Sequence, residues 1–317
     1  MATTSTAPEE SAPPVPLRGR RDENTKRLAR MGWSFTAPAL IVIAAVTIFP
    51  IIYSVVTSLS NVTATANGFS LSGVTGANYS LLIHAAVWRQ ALVFTILYTV
   101  ATVVIEIVLG TCIALVLERL VAGRGWVMAL LLIPWSMITV INALLWGYIF
   151  EGTYGIIQYI AGGLGLGHPV ILGTPWPARI ALGVADIWKT TPFVAIIVLA
   201  GLVMLPHDVY EAAEMDGASG WYTFWHVTLP LLRPTLALAV MFRVLQAFGL
   251  FDLPFVMTGG GPGTATTSLA LLGWQAMFKN LNFGGGAAVA TSTALLVLLG
   301  CLASLRVFRV QVGKEDT

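Results

Sequence analysis

Charge is scarce in this sequence. Its 317 residues include 17 Lys and Arg and 15 Asp and Glu, 10% of the total, whereas an ordinary soluble domain carries roughly a quarter. A chain so poor in charge cannot cover itself with polar surface, which excludes a water-soluble globular domain. Cysteine is nearly absent. Cys112 and Cys301 both lie in apolar runs, where a thiol acts as a small packing residue rather than a disulfide partner or metal ligand. The four histidines, His84, His168, His207 and His226, have no metal-ligand spacing, and no cluster of reactive side chains reads as a catalytic site. No metal and no catalytic residues are expected. A formal net charge of +2 gives no electrostatic ground for a nucleic-acid partner. Glycine runs occur, but Gly259-Gly260-Gly261-Pro262-Gly263 has no Lys-Ser/Thr pair after it, and Gly163 to Gly167 is followed by His168-Pro169. Neither is a phosphate loop.

What is present in abundance is long apolar runs. Hydrophobic residues make up 56% of the chain, in stretches that match the roughly 20 helical residues needed to cross a hydrocarbon layer of ~30 Å. Six spans are predicted, at about 32–59, 88–117, 126–150, 178–204, 232–257 and 285–308. The fold class is therefore all-α integral membrane, with six transmembrane helices. Residues 1–31, rich in Pro, Ser, Thr and charge, read as a cytoplasmic N-terminal tail, 32–310 as the six-helix membrane domain, and 311–317 as a cytoplasmic C-terminal tail. The apolar segment after residue 31 is too long for a signal-peptide core and is expected to remain as the first span.

Basic residues set the orientation. With both termini inside, the inner segments and adjoining span ends hold twelve Lys and Arg, from Arg18 through Arg119, Arg124 and Arg233 to Lys314, against Arg89, Arg179 and Lys279 outside. That asymmetry places both termini in the cytoplasm. Outer loops 60–87, 151–177 and 258–284 are rich in Gly, Thr and Asn, with Trp176 and Trp274 near the interface, and suit contact with an external partner. The inner loop from Leu205 to Leu231 is unusual in carrying four acids, Asp208, Glu211, Glu214 and Asp216.

In that loop Asp208 can cap or charge-stabilise a short helix whose Val209, Ala212 and Ala213 share one small apolar face. Gly217 supplies a turn that a Cβ would resist, Pro230 ends the stretch before the fifth span, and Glu211 and Asp216 are left for a cationic partner. The spaced set Glu211, Ala212, Ala213, Gly217, Leu229 and Pro230 resembles the EAA loop of bacterial ABC importer permeases, EAA-x3-G-x9-I-x-LP, with Val227 in place of Ile. Residues 248–269, containing Phe251-Asp252 and Thr258-Gly259-Gly260-Gly261-Pro262, look like the corresponding stretch of carbohydrate importer permeases of the maltose and glycerol-phosphate type. The resemblance implies the type I importer permease fold and a cytoplasmic coupling helix in segment 206–230, with Asp216 among its contacts. It also implies partners: a second homologous permease, two cytoplasmic ATPase subunits that use ATP and Mg, and an extracytoplasmic binding protein, with membrane lipid around the chain. The chain itself would bind no cofactor and catalyse no reaction. A disaccharide such as trehalose is the implied cargo.

Polar side chains inside spans usually face a bundle interior or a wet cavity. In the fourth span Asp186, Lys189, Thr190 and Phe193 stand at i, i+3, i+4 and i+7, and in the fifth Arg243, Gln246, Ala247 and Leu250 repeat the spacing. The family resemblance carries a substrate pathway over to these positions, with Asn142 of the third span added. Phe193 or Trp188 offers a ring on which a sugar can stack. The structural alternative is that Asp186 and Lys189 neutralise each other while Arg243 pairs with Glu106 or Asp252. A rival function, an ion-gradient-driven secondary transporter using Asp186, Glu106 and Asp252, is opposed by the EAA loop.

Overall fold

The computed structural model describes residues 18–65, 68–165 and 167–308. The expected C-terminal tail at 311–317 and the first part of the N-terminal tail lie outside these. By compactness the chain divides into residues up to Tyr53 and Ser54–Thr317. The first unit is helix α1, Arg18–Ser58, which runs through Pro38 and Pro50 and crosses the division. It begins well before residue 32, because Arg, Lys, Leu and Ala between 20 and 31 are good helix formers with no Gly or Pro among them.

In the second unit a hairpin of β1 (Ser60–Thr65) and β2 (Gly68–Val74) is followed by α2 (Ala77–His84) and the long α3 (Ala86–Arg119). Then come α4 (Arg124–Ser136), α5 (Thr139–Ile149), α6 (Ile156–Gly163) and α7 (Pro175–Val203). The chain continues with α8 (His207–Met215), α9 (Gly220–Thr223), a π-helical turn at Phe224–Thr228, α10 (Leu229–Leu231) and α11 (Arg233–Phe248). It ends with α12 (Asp252–Met257), α13 (Leu269–Trp274), a second π turn at Gln275–Lys279 and α14 (Phe283–Phe308).

Among the described residues, five helical stretches are long and apolar enough to cross a membrane: Thr25–Ser58, Ala86–Arg119, Pro175–Val203, Arg233–Met257 and Phe283–Arg306. The span predicted at 126–150 differs. It is the pair α4 and α5, bent by 88°. The Ser136 hydroxyl donates to the Ile133 carbonyl at 2.8 Å and the Met137 amide to the Pro134 carbonyl at 3.3 Å, closing α4 tightly. Met137 and Ile138 are then extended.

α3 and α7 run parallel and make the most extensive helix contact. Small residues set their approach. A Cβ built on Gly110 would lie 2.6 Å from Val194 Cγ1 and 3.1 Å from the Ala195 nitrogen, the close packing that glycine permits between membrane helices. Gly201 plays the same part against Thr235 of α11, 2.5 Å from its hydroxyl on the same construction. Two apolar cores result. One gathers Phe94, Ala143, Leu182, Ala185, Leu250 and Leu253; the other gathers Leu117, Val194, Val198, Leu232 and Leu236.

The segment 258–268 is not a free loop. Thr266, Thr267 and Ser268 are buried. Thr266 donates to the Gly261 carbonyl at 2.7 Å, Thr267 to the Gly260 carbonyl at 3.1 Å and Ser268 to the Leu250 carbonyl at 2.5 Å. Composition suggested exposure here; hydroxyls that bond backbone allow burial instead. Cys112, expected in packing, is exposed on this chain.

Candidate functional site

Between the two apolar cores lies one layer of buried charge. Glu106 from α3, Asp186 and Thr190 from α7, and Arg243 from α11 are each buried, Arg243 at 1% exposure and Glu106 at 0%. The guanidinium engages Glu106 through Nε and again through Nη2, the latter at 2.9 Å, and its Nη2 reaches Asp186 Oδ2 at 3.1 Å. Thr190 donates to Glu106 at 2.6 Å, and Tyr98 donates to Asp186 at 3.1 Å. Two carboxylates thus converge on one planar cation whose fork suits them, and every contact crosses between helices. Of the readings open for Arg243, pairing with Glu106 is what the structure contains; Asp186 joins it. Lys189 forms no ion pair among the described residues.

The predicted pathway residues divide at the edge of this layer. Asp186, Thr190, Arg243, Leu250 and Asn142 are buried, whereas Lys189 and Phe193 are half-buried and Gln246 is exposed. Gln246 accepts a hydrogen bond from Arg243 Nη1 at 2.9 Å, so its amide nitrogen keeps both hydrogens for another group. Around it lies an aromatic face. Phe193 stacks on Trp135 at 5.5 Å with an interplanar angle of 8° and meets the edge of Phe242 at 6.2 Å. Asn142 donates to the Ala185 carbonyl at 3.3 Å, but its Oδ1 and Trp146 Nε1 are buried with no hydrogen-bond partner. Sequence reasoning missed Tyr98 altogether, although it stands eight residues before Glu106 and so near the same face of α3.

The acidic loop folds as an exposed helix with a sharp stop. α8 carries Glu211, Ala212 and Ala213. Its N-cap position is Pro206, so Asp208 sits in the first turn and acts by charge rather than as a side-chain cap. At the C-terminus Gly217 adopts φ +74°, its amide bonds the Glu214 carbonyl at 2.9 Å, and the Ala218 amide bonds the Ala213 carbonyl at 3.0 Å. This pair of bonds is the Schellman closure. Ser219 then caps α9 by accepting from the Tyr222 amide at 3.3 Å. Pro230 does not end the stretch, since α10 contains Leu229 and Pro230 and leads through Leu232 into α11. Glu211 and Asp216 are exposed and form no ion pair among the described residues. Met215, Trp221 and Tyr222 are 87%, 74% and 53% exposed.

Residues 93–313 match the model of a protein family described as the binding-protein-dependent transport system inner membrane component. The chain belongs to this family. The family match begins within α3 and takes in the charged layer and the α8 segment alike. Among relatives within the family, the trehalose/maltose transport system permease protein MalF of Thermococcus litoralis is 37% identical over 89% of this chain and 95% of its own length. The trehalose transport system permease protein SugA of Mycobacterium tuberculosis is 36% identical over 86% of this chain and 85% of its own. A crystal structure of a bacterial ABC transporter involved in import of the acidic polysaccharide alginate contains a chain of the same fold, with TM-score 0.78 at 18% identity, covering 93% of this chain and all of that one. This inner membrane component therefore has the type I ABC importer permease fold.

Proposed function

We propose that this chain forms half of the translocation pathway of an ATP-driven ABC importer for a disaccharide such as trehalose, with both termini in the cytoplasm. A second, homologous permease supplies the other half, two ATPase subunits dock at segment 206–230, and an extracytoplasmic binding protein delivers cargo. The observation that carries the coupling role is the exposed α8 helix with its fixed Gly217 turn. It presents exposed Glu211 and Asp216, which form no ion pair among the described residues, along with exposed Met215, a stiff knob with charge and apolar area for a partner's cleft. The cargo reading draws on relatives named for trehalose and maltose, and on the aromatic and amide groups at Phe193, Trp135 and Gln246. A hydroxyl-rich ligand entering a dry site needs its hydrogen bonds replaced, and a ring surface to stack on.

The test is uptake of labelled trehalose, maltose and glycerol 3-phosphate by cells lacking the gene and by cells given it back intact or as Glu211→Lys. Loss of trehalose uptake, its return with the intact gene and its failure with Glu211→Lys support both cargo and coupling. Normal entry of every sugar in the deletion strain refutes the carbohydrate assignment. Uptake that survives ATP depletion refutes the ATP-driven mechanism.

A further inference from the structure

A groove of about 740 Å³ runs between α3 and α7 from the end where both helices begin. Its walls are apolar: Val93, Leu97, Ala101 and Ile105 on α3 face Ile180 and Val184 on α7. Below the rim formed by Arg89 and Gln90, the few polar groups along it are already engaged. Thr102 donates to the Tyr98 carbonyl at 2.9 Å, and the Tyr98 hydroxyl is spent on Asp186. A polar ligand would find nothing to bond there, while hydrocarbon loses nothing. From Arg89 to Ile105 the groove extends roughly 24 Å at ~1.5 Å per residue, more than the ~15 Å of one leaflet's hydrocarbon.

The rim has the opposite character. Arg89 gives Nη1 to the Ile83 and His84 carbonyls at 3.3 and 3.2 Å. Arg179 gives Nε to the Ala265 carbonyl at 2.8 Å and sits 5.0 Å from the Trp176 ring. Each keeps further N–H donors, and among the described residues neither forms an ion pair. Trp176, 66% exposed, is the ring type that settles at the headgroup level. Two uncompensated arginines above a smooth hydrocarbon slot match an anionic headgroup above an acyl chain.

We propose that this groove is a binding site for one anionic phospholipid, its phosphate held between Arg89 and Arg179 and one acyl chain lying along Leu97, Ala101 and Val184. The site adjoins the charged layer at Tyr98, whose hydroxyl bonds Asp186, and is separate from α8; its existence does not depend on which cargo is carried.

Purified full-length chain, with whatever subunits accompany it, is titrated in detergent with phosphatidylglycerol or phosphatidylcholine, and bound lipid is counted by native mass spectrometry. One phosphatidylglycerol is expected to be retained in preference to phosphatidylcholine. Arg179→Gln is expected to weaken it about five-fold, and Ala101→Phe, which fills the slot from an exposed position, to abolish it. Should Arg179→Gln misfold through loss of its bond to Ala265, Ala101→Phe still decides. Undiminished phosphatidylglycerol in Ala101→Phe, or equal retention of phosphatidylcholine by the intact chain, overturns the proposal. So does efficient cross-linking of Ala101→Cys to another polypeptide, which would make the groove a seat for a protein helix.

Discussion

Replacing Arg243 with Met is the sharpest perturbation of the charged layer. Among the described residues the guanidinium is the one cation that contacts Glu106 and Asp186 together, so Arg243→Met leaves two carboxylates facing each other out of water. Breaking a buried pair by removing one partner costs about 3–5 kcal/mol, a large part of the 5–15 kcal/mol typical of a folded domain. Glu106→Gln should be milder, about 1–3 kcal/mol, because Arg243 keeps Asp186 at 3.1 Å and Gln246 at 2.9 Å, and Thr190 can still donate to the amide oxygen. Asp186→Asn should cost least, since Asp186 has a single contact with the cation and the Tyr98 hydroxyl beside it. Because Glu106 and Arg243 touch, the double variant Glu106→Gln/Arg243→Met should lose less than the sum of the singles by about 0.5–3 kcal/mol. The assay is denaturant unfolding in mixed micelles followed by tryptophan fluorescence. A loss of no more than ~1 kcal/mol for Arg243→Met, the behaviour of an exposed ion pair, or strict additivity in the double variant, would refute the reasoning.

Other positions carry their own tests. Gly260→Ala places a Cβ 2.6 Å from Thr267 Oγ1 at a residue with φ +93°, so the buried segment 258–268 should lose about 1–3 kcal/mol to crowding and about as much again to backbone strain, seen as a lower unfolding midpoint. Gly110→Ala should force α3 from α7 and cost about 1–3 kcal/mol, whereas Gly147→Ala, where an added Cβ meets nothing within 4 Å, should be neutral in the same assay. Gln246→Ala should raise the KM for cargo roughly two- to ten-fold with Vmax retained; a fall in Vmax alone would count against a direct contact. Gly217→Val, at φ +74°, should cut cargo-stimulated ATP hydrolysis while the chain remains in the membrane at its normal level.

Much of this architecture is legible from residue order, and the failures are instructive. Five spans stand out because their apolar runs are long and carry few charges. The bend between α4 and α5 does not, since Met137 and Ile138 are as apolar as their neighbours and a hydropathy window runs across them; Pro134 and Ser136 were the available signs. The hairpin β1–β2 had its sign in the alternating stretches 60–65 and 68–74, a signal drowned by the Gly- and Thr-rich composition of the loop. The 258–268 segment misleads for a related reason: Thr and Ser read as wet until their hydroxyls are seen to bond the local backbone. For the site, spacing placed Asp186 with Thr190 and Arg243 with Ala247 on common faces, yet it carries no distance between helices. Whether Arg243 met Glu106, Asp252 or cargo could not be read from it, and Tyr98 had no motif to betray it.

The ion cluster also sets an order of events during synthesis. Glu106 precedes its cation by 137 residues, and at roughly 5–20 residues per second about seven to thirty seconds separate their emergence from the ribosome. During that interval α3 enters the bilayer with a carboxyl near mid-span and no guanidinium to meet it, a cost of a few kcal/mol that the rest of its apolar length must outweigh. The helix is complete long before its charge is matched. Once α7 is made, Thr190 can hydrogen-bond the carboxyl, but its charge is matched only when α11 docks.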